Sequence, residues 1–294
     1  MSVFSSLRVA TRVALASGVL LLATAVAQPA VAQARPAQGV DLDVIAHRGS
    51  SGVAPENTLA AVEKAIEQRA NWFEIDIQRT ADGELVLFHD RDLRRTTDVE
   101  EVFPERALAP LGTFTLAELQ QLDAGSWFSP EFAGEPIPTM DQLLETVGQR
   151  IGFLLEVKDP SLYPGIEQQI IDELRGAGGY LNAALAGERI VLQSFDHASM
   201  RRSHDIAPEI PVGLLTGTRM SSAELAVAAE YAAQINPSFR VVDRGYLDEV
   251  HALGMQMSVY TVNTGRDMRA MLDLGVDGII TDYPAVLLDL LSRR

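Results

Sequence analysis

Short apolar runs alternate along the chain with segments in which apolar residues recur every three or four positions. The runs are short and rich in β-branched residues, as buried strands are, and there are eight of them. They cover Val44–Ala46, Trp72–Ile77, Phe153–Val157, Ile190–Leu192, Val212–Leu215, Ala233–Ile235, Met257–Val262 and Gly278–Thr281. The helical segments cover Thr58–Gln68, Met140–Gly148, Pro164–Leu174, Ala198–Ile206, Ala223–Ala232, Tyr246–Leu253, Arg266–Leu274 and Ala285–Leu291. This α/β pattern predicts a single (β/α)8 TIM barrel, with a doubly wound open sheet as the alternative.

Two segments between the second and third predicted strands depart from this alternation. Leu85–His89 follows the second strand through Asp82-Gly83, and an Asp-Gly pair between strand-like runs is typical of a hairpin. Folding the chain about Asp82 places His89 opposite Ile75, on the second strand. The following stretch, Asp98–Pro138, is too long for an ordinary βα loop. It predicts a small insertion subdomain at the mouth of the barrel.

The first 34 residues have the pattern of a secretory signal peptide. Arg8 and Arg12 precede the apolar run Val13–Ala27, and cleavage is expected after Ala32 or Ala34. The run is shorter than the ~20 residues that span a bilayer, and a retained membrane anchor is the alternative. We therefore expect an exported protein, extracellular or periplasmic, whose mature domain spans residues 40–294 without stable membrane insertion.

Composition narrows the possible functions. Lys and Arg number 24 against 40 Asp and Glu, and the formal charge of −16 opposes nucleic-acid binding and favours a divalent cation. The sequence contains no cysteine, which excludes disulfides, thiolate metal sites and cysteine nucleophiles. Any catalytic chemistry must therefore use carboxylates, histidines and other polar side chains.

Carboxylates lie inside the second and third predicted strands. Glu74 and Asp76 are two residues apart, so a strand projects both to one face, and Glu156 and Lys158 repeat this spacing on the next strand. Because active sites of these barrels form at the carboxyl ends of the strands, we expect the three carboxylates to converge. Charges within apolar runs need a partner, and these predict one divalent cation, Ca²⁺ or Mg²⁺. A solvated strand end is the alternative for each residue taken alone.

Two histidines follow strand-like runs and lie beside charged residues. His47 precedes Arg48 after the first strand, and His89 is brought toward Glu74 and Asp76 by the predicted hairpin. Two imidazoles on opposite sides of a bound phosphorus can divide acid and base catalysis near neutral pH. Either histidine taken alone is equally compatible with a core or surface position.

Eight short motifs, in order along nearly the whole mature chain, resemble the signature of the glycerophosphodiester phosphodiesterase family. They are Ala46-His47-Arg48-Gly49, Pro55-Glu56-Asn57-Thr58, Glu74-Ile75-Asp76, Phe88-His89-Asp90, Glu156-Val157-Lys158, Gln193-Ser194-Phe195, Tyr260-Thr261-Val262-Asn263 and Asp277-Gly278-Ile279-Ile280-Thr281-Asp282-Tyr283-Pro284. The resemblance implies a TIM barrel with an insertion between its second and third strands. It also implies a small-molecule glycerophosphodiester as substrate.

The resemblance assigns a role to each candidate residue. It makes Glu74, Asp76 and Glu156 the metal ligands, His47 and His89 the acid–base pair, Arg48 and Lys158 the phosphate-binding cations, and Gln193 and Tyr260 part of the substrate pocket. Glu56 and Asn57 are expected to support these residues or to cap a helix. Tyr260 occupies a position where the family often has tryptophan; tyrosine keeps an aromatic wall there and adds a hydroxyl.

The implied reaction is metal-dependent hydrolysis of a glycerophosphodiester to sn-glycerol 3-phosphate and an alcohol. One alternative is a secreted lysophospholipase D, for which Trp127, Phe128 and Phe132 would supply an apolar groove. Another is a binding protein on an inactive barrel. That alternative predicts the loss of at least one of the five metal and histidine positions, and all five are present.

Overall fold

Nine strands form one sheet within residues 42–294, the part of the chain that this computed structural model describes. They are β1 (Asp43–Ala46), β2 (Trp72–Arg79), β3 (Leu85–Leu87), β4 (Gly152–Val157), β5 (Ile190–Ser194), β6 (Val212–Thr216), β7 (Gln234–Pro237), β8 (Gln256–Val259) and β9 (Gly278–Thr281). The order is β1-β9-β8-β7-β6-β5-β4-β2-β3, and a parallel β1–β2 pairing closes the barrel. The predicted TIM barrel is confirmed, and the open sheet is wrong. The predicted signal peptide lies outside the described residues.

Helices cover the outside of the barrel, and two short helices, the second and third along the chain, lie in the insertion. They are α1 (Leu59–Glu67), α2 (Val99–Val102), α3 (Leu116–Leu119), α4 (Met140–Val147), α5 (Ile166–Gly176), α6 (Tyr180–Ala186), α7 (His197–Ile206), α8 (Ser222–Ala228), α9 (Arg244–Ala252), α10 (Gly265–Leu274) and α11 (Pro284–Ser292). Several begin at side-chain caps: Thr139 with Gln142, and Ser221 with Glu224, form reciprocal capping boxes. Between residues 42 and 294, no helix is both long enough and apolar enough to cross a membrane.

The sequence pattern missed α6. This helix follows Gly178 and Gly179, which both have positive φ angles (54° and 87°), and these glycines let the chain turn sharply after α5. Its buried residues are Tyr180, Leu181 and Ala184. The segment is too short to show a clear helical repeat, which explains why hydrophobic periodicity did not reveal it.

Side chains alternate in direction along β2. Phe73, Ile75 and Ile77 belong to the large apolar core between the strands and the outer helices. Trp72 packs in a smaller apolar cluster with Ile45, Leu154, Val191 and Ile280. The intervening positions Glu74 and Asp76 are also buried, at 2% and 1% exposure. Since neighbouring side chains on a strand point to opposite faces, the apolar packing of one face fixes both carboxylates on the other.

The insertion grows from the β2–β3 hairpin. Ile77 pairs with Leu87, which is the register predicted by folding the chain about Asp82. Leu85 and Leu87 pack into the main core, whereas Val86 packs into a second apolar core within the insertion. That second core contains Val86, Phe88, Leu93, Val99, Ala107, Leu111, Phe114, Leu119, Leu122, Ala124 and Ile137. The hairpin therefore connects the two cores directly.

Glu173 gives the fold a testable pH dependence. Burial, and next the nearby Asp141, raise the pKa of this α5 carboxyl to about 7. The folded state therefore binds more protons than the unfolded state between about pH 4.5 and pH 7, and stability falls as pH rises through that window. Glu173→Gln should raise the free energy of unfolding by about 1 kcal/mol at pH 8, after allowance for solvent screening, and by much less at pH 4.5. Urea unfolding at both pH values measures this.

The control for this experiment is Glu145→Gln, an exposed substitution on α4. We expect the control to have similar effects at both pH values. Equal urea midpoints for Glu173→Gln and the parent protein at pH 8 would show that ionised Glu173 does not destabilise the fold.

Candidate active site

Three buried carboxylates meet at the carboxyl end of the barrel. Glu74 and Asp76 come from β2, and Glu156 comes from the neighbouring strand β4, where it pairs in register with Asp76. One oxygen from each of the three carboxylates can be chosen so that all three lie within 4.8 Å of one another. The convergence predicted from the two-residue spacing is therefore observed.

The electrostatics of this cluster fit a cation. Burial, and then the charges of Asp76 and Glu156, raise the pKa of Glu74 well above its ordinary value. Burial, followed by the charge of Asp76, raises the pKa of Glu156 to about 7. Asp76 Oδ1 is buried and accepts no hydrogen bond from any residue between 42 and 294. An oxygen donor set with an unsatisfied carboxylate oxygen is suited to Ca²⁺ or Mg²⁺.

Two cations border the carboxylates. Lys158 Nζ donates to Glu156 Oε1 at 2.7 Å and lies 3.5 Å from Asp76 Oδ1. Arg48 Nε lies 3.5 Å from Asp76 Oδ2, and its Nη1 donates to Glu56 at 2.8 Å. Burial raises the pKa of Asp76, but the charges of Lys158 and Arg48 outweigh it and bring that pKa below its ordinary value.

Each candidate histidine has a carboxylate partner at Nδ1. His47 Nδ1 donates to Asp282 Oδ1 at 2.6 Å, and His89 Nδ1 donates to Asp90 Oδ1 at 2.6 Å. Burial lowers the pKa of His47, against the opposing effect of Asp282. Burial alone raises the pKa of Asp90, but hydrogen bonds from His89 and Arg95 hold it well below its ordinary value. Ionised partners fix the tautomer and leave Nε2 of each ring for proton transfer.

Asn57 holds Asp76, one of the three candidate metal ligands. Its Nδ2 donates to Asp76 Oδ2 at 2.9 Å, and its Oδ1 accepts the Asp76 backbone N–H at 3.0 Å. The suggestion that Asn57 caps α1 is wrong, because Thr58 is the cap and accepts the Ala61 N–H. Asn57 has a φ of 57°, a left-handed conformation that asparagine tolerates better than most residues. The loop therefore uses an unusual backbone conformation to aim this side chain.

Asn57→Ala should weaken binding of a divalent ion about 10- to 100-fold, because partners that orient metal ligands commonly have effects of this size. Calorimetric titration of the metal-free protein with Ca²⁺ or Mg²⁺ measures the change. Asn182→Ala, an exposed substitution on α6, is the control and should bind the ion like the parent protein. Unchanged affinity in a folded Asn57→Ala variant would show that Asp76 needs no such support.

The two predicted pocket residues lie in different surroundings. Gln193 is buried in the barrel interior beside Glu156 in register, and its Oε1 accepts a hydrogen bond from Asn236 at 2.8 Å. The Tyr260 hydroxyl donates to the Thr216 carbonyl at 2.9 Å, and its ring meets Phe195 edge-on at 5.7 Å. The hydroxyl that distinguishes Tyr260 from tryptophan therefore already donates a hydrogen bond within the protein. Substrate contact by either residue stays a prediction.

Sequence reasoning assigned no role to Asp282 or Asp90. Asp282 also accepts hydrogen bonds from Ser51 at 3.1 Å and from Asn263 at 2.5 Å. Asp282 lies just after β9 in a motif that resembles the family signature, and this position could have indicated a functional role. Asp90 directly follows His89, and adjacency alone does not show which way its carboxylate points.

Comparison with known proteins agrees with this geometry. The sequence model of the Glycerophosphoryl diester phosphodiesterase family matches residues 47–286. A glycerophosphodiester phosphodiesterase of Bacillus subtilis is 33% identical over 252 residues, which cover 82% of this chain and 83% of the relative. One from Caldanaerobacter subterraneus subsp. tengcongensis is 35% identical over 253 residues, covering 85% of this chain and 98% of the relative.

A solved structure with the same fold carries a ligand. The Oleispira antarctica phosphodiesterase, in complex with the product sn-glycerol-3-phosphate, superposes with a TM-score of 0.71 at 30% sequence identity. The match covers 84% of this chain and 96% of the Oleispira chain. Since both the family match and these relatives span most of the barrel, the chain belongs to the glycerophosphoryl diester phosphodiesterase family.

Proposed function

We propose that the protein hydrolyses glycerophosphodiesters to sn-glycerol 3-phosphate and an alcohol, using one divalent cation and the His47–His89 pair. The observation that carries the proposal is the convergence of Glu74, Asp76 and Glu156 beside Arg48 and Lys158. The glycerophosphodiester phosphodiesterases of Bacillus subtilis and Caldanaerobacter subterraneus, and the Oleispira product complex, support this reaction class.

The charge balance of the site suits a phosphodiester. When the three carboxylates are ionised, as ligands of an ion would be, they and the two cations together carry one negative charge, which a divalent ion would change to one positive charge. A phosphodiester carries one negative charge and would complete a neutral assembly. When bound by Glu74, Asp76 and Glu156, the ion would supply a Lewis acid for a phosphoryl oxygen.

Arg48 and Lys158 would stabilise the remaining phosphoryl oxygens. Both already lie within 3.5 Å of Asp76, so the metal ligands hold them at the edge of the ion site. Cations fixed in this way stabilise negative charge that develops in the transition state, with little reorganisation.

The histidines would move the protons. One Nε2 would accept the proton of the attacking oxygen, and the other would donate a proton to the departing alcohol oxygen. Asp282 and Asp90 keep the Nδ1 protons in place and stabilise whichever ring becomes positively charged.

The attacking oxygen belongs either to the glycerol 2-hydroxyl, through a transient cyclic phosphate, or to water. A substrate that lacks the 2-hydroxyl separates these routes, because only direct attack by water would still cleave it. Detection of a cyclic glycerophosphate during turnover would support the first route.

Product analysis tests the proposal as a whole. The chelated protein is incubated with glycerophosphocholine, glycerophosphoethanolamine and glycerophosphoglycerol, with Ca²⁺, Mg²⁺ or no added ion. We expect sn-glycerol 3-phosphate only when an ion is present. Release of a phosphorylated headgroup in place of the free alcohol, or equal turnover without an ion, would contradict the proposal.

One observation favours a second substrate class, lysophospholipids with a longer chain. Phe128 makes edge-on contacts with Trp127 and Phe132 at 5.7 and 5.8 Å, and Trp127 is 40% exposed. The same loop reaches the start of α1, where Glu135 accepts the Ala60 N–H at 3.2 Å. Comparison of turnover on glycerophosphocholine and lysophosphatidylcholine distinguishes the two classes. Trp127→Ala should reduce only the second activity if the aromatic group binds an acyl chain.

A further inference from the structure

Arg95 connects two parts of the site that the proposed chemistry treats separately. It lies after the β2–β3 hairpin, where the chain enters the insertion. Its Nη1 and Nη2 donate to the two carboxylate oxygens of Glu56 at 2.7 and 2.6 Å. Its Nε donates to Asp90 Oδ2 at 2.5 Å. All three guanidinium nitrogens are therefore committed to two carboxylates from different loops.

Each of these carboxylates supports a different functional residue. Glu56 accepts Arg48 Nη1 at 2.8 Å, and Asp90 accepts His89 Nδ1 at 2.6 Å. Glu56 therefore links Arg95 to Arg48, the predicted phosphate-binding cation. Asp90 links Arg95 to His89, a predicted acid–base group. The connection runs from Arg48 through Glu56, Arg95 and Asp90 to His89.

The charge of Arg95 also limits how strongly Glu56 holds Arg48. Glu56 lies between two guanidinium groups, and its carboxylate is shared between them. Without Arg95, Glu56 would pair with Arg48 alone, and Asp90 would lose its second hydrogen-bond donor. Both changes would alter the placement of Arg48 and His89.

We propose that Arg95 is a positioning residue that fixes Arg48 and His89 relative to each other. This inference rests on the proposed phosphodiesterase function, in which Arg48 binds phosphate and His89 transfers a proton. A fixed bidentate guanidinium suits this task better than an ammonium, which cannot present the same planar set of donors. The Arg95 side chain is 46% exposed, but its bidentate pair with Glu56 belongs to a charge network, so Arg95→Ala should lose some stability as well as activity.

The neighbouring residue Arg94 provides a matched control. Its side chain is 44% exposed, and it bonds to Asp92 rather than to Glu56 or Asp90. Arg95→Ala should lower kcat by about 10- to 100-fold, because small displacements of positioned groups have effects of this size. Arg94→Ala should keep kcat within about twofold of the parent protein, as expected for an exposed pair outside the site.

Chemical rescue distinguishes positioning from a merely structural role. Guanidinium ion, added well below denaturing concentrations, should restore much of the kcat lost in Arg95→Ala, since half-exposure leaves a route to the vacated position. It should not restore His89→Ala, in which the proton-transfer group itself is missing. Arg95→Lys should recover only part of the activity, because one ammonium cannot reproduce the three hydrogen bonds to Glu56 and Asp90.

Thermal melting shows whether each variant is folded before kinetics are compared. Equal kcat in folded Arg95→Ala and Arg94→Ala, or no rescue by guanidinium, would overturn the inference. Failure of the phosphodiesterase proposal would look different, because the parent protein itself would then release no sn-glycerol 3-phosphate with any ion.

Discussion

His47→Ala and His89→Ala are each expected to lower kcat on a glycerophosphodiester by about two to four powers of ten, the usual contribution of an acid or base. Each ring is oriented by an ionised carboxylate, Asp282 or Asp90, at 2.6 Å. Alanine removes the atom proposed to transfer the proton but leaves the three carboxylates proposed to bind the ion in place. KM and the affinity for the ion should therefore change much less than kcat.

His251→Ala is the control for these variants. His251 is exposed on α9 and pairs with Asp277, away from the acidic cluster. We expect this variant to retain parent activity. Near-normal turnover in His47→Ala or His89→Ala would remove that histidine from the catalytic scheme, and equal losses in all three variants would indicate a general effect on folding.

Removal of the divalent ion should abolish turnover and lower Tm, and addition of the ion should restore both. An ion present at 100 times its Kd adds about 2.7 kcal/mol to stability, which corresponds to several degrees in a domain of this size. Glu74→Gln should remove most of this ion-dependent rise in Tm. Because burial and the charges of Asp76 and Glu156 raise the pKa of Glu74, ionisation of this carboxyl opposes folding as pH rises, and the metal-free Glu74→Gln variant should melt at or above the metal-free parent at pH 8.

Differential scanning calorimetry with and without chelator measures both effects. Glu100→Gln, an exposed substitution on α2, should keep the full response to the ion. If Glu74→Gln responds to the ion as strongly as the parent, the ion binds elsewhere and the assignment of the three carboxylates is wrong.

The sequence predicted those parts of the molecule that follow from short-range rules. The two-residue spacing of Glu74 and Asp76 put both on one face of β2, and the Asp82-Gly83 turn set the register of the hairpin. The strand-end position of Glu156 placed it beside Asp76. Each inference needed only strand geometry and the rule that active sites of these barrels form at the carboxyl ends of the strands.

Other parts depend on contacts between distant segments, which single-sequence patterns do not encode. Asp282 lies 235 positions from His47, so no local pattern joins them. Asn57 and Thr58 are both residue types that cap helices, so the sequence alone does not choose between them. The left-handed backbone conformation of Asn57 turns its side chain toward Asp76. The insertion has its own core without the regular spacing of a long helix or strand.

The alternating packing of β3 has a consequence for cooperativity. Leu85 and Leu87 are anchored on one side and Val86 on the other, so neither apolar core can separate without disturbing the same three residues. We therefore expect the barrel and the insertion to melt in a single transition, with the amides of Val86 and Leu87 among the slowest to exchange with deuterium. Since His89 follows Leu87 by two residues, we expect this packing on both sides of β3 to limit the movement of His89 as well.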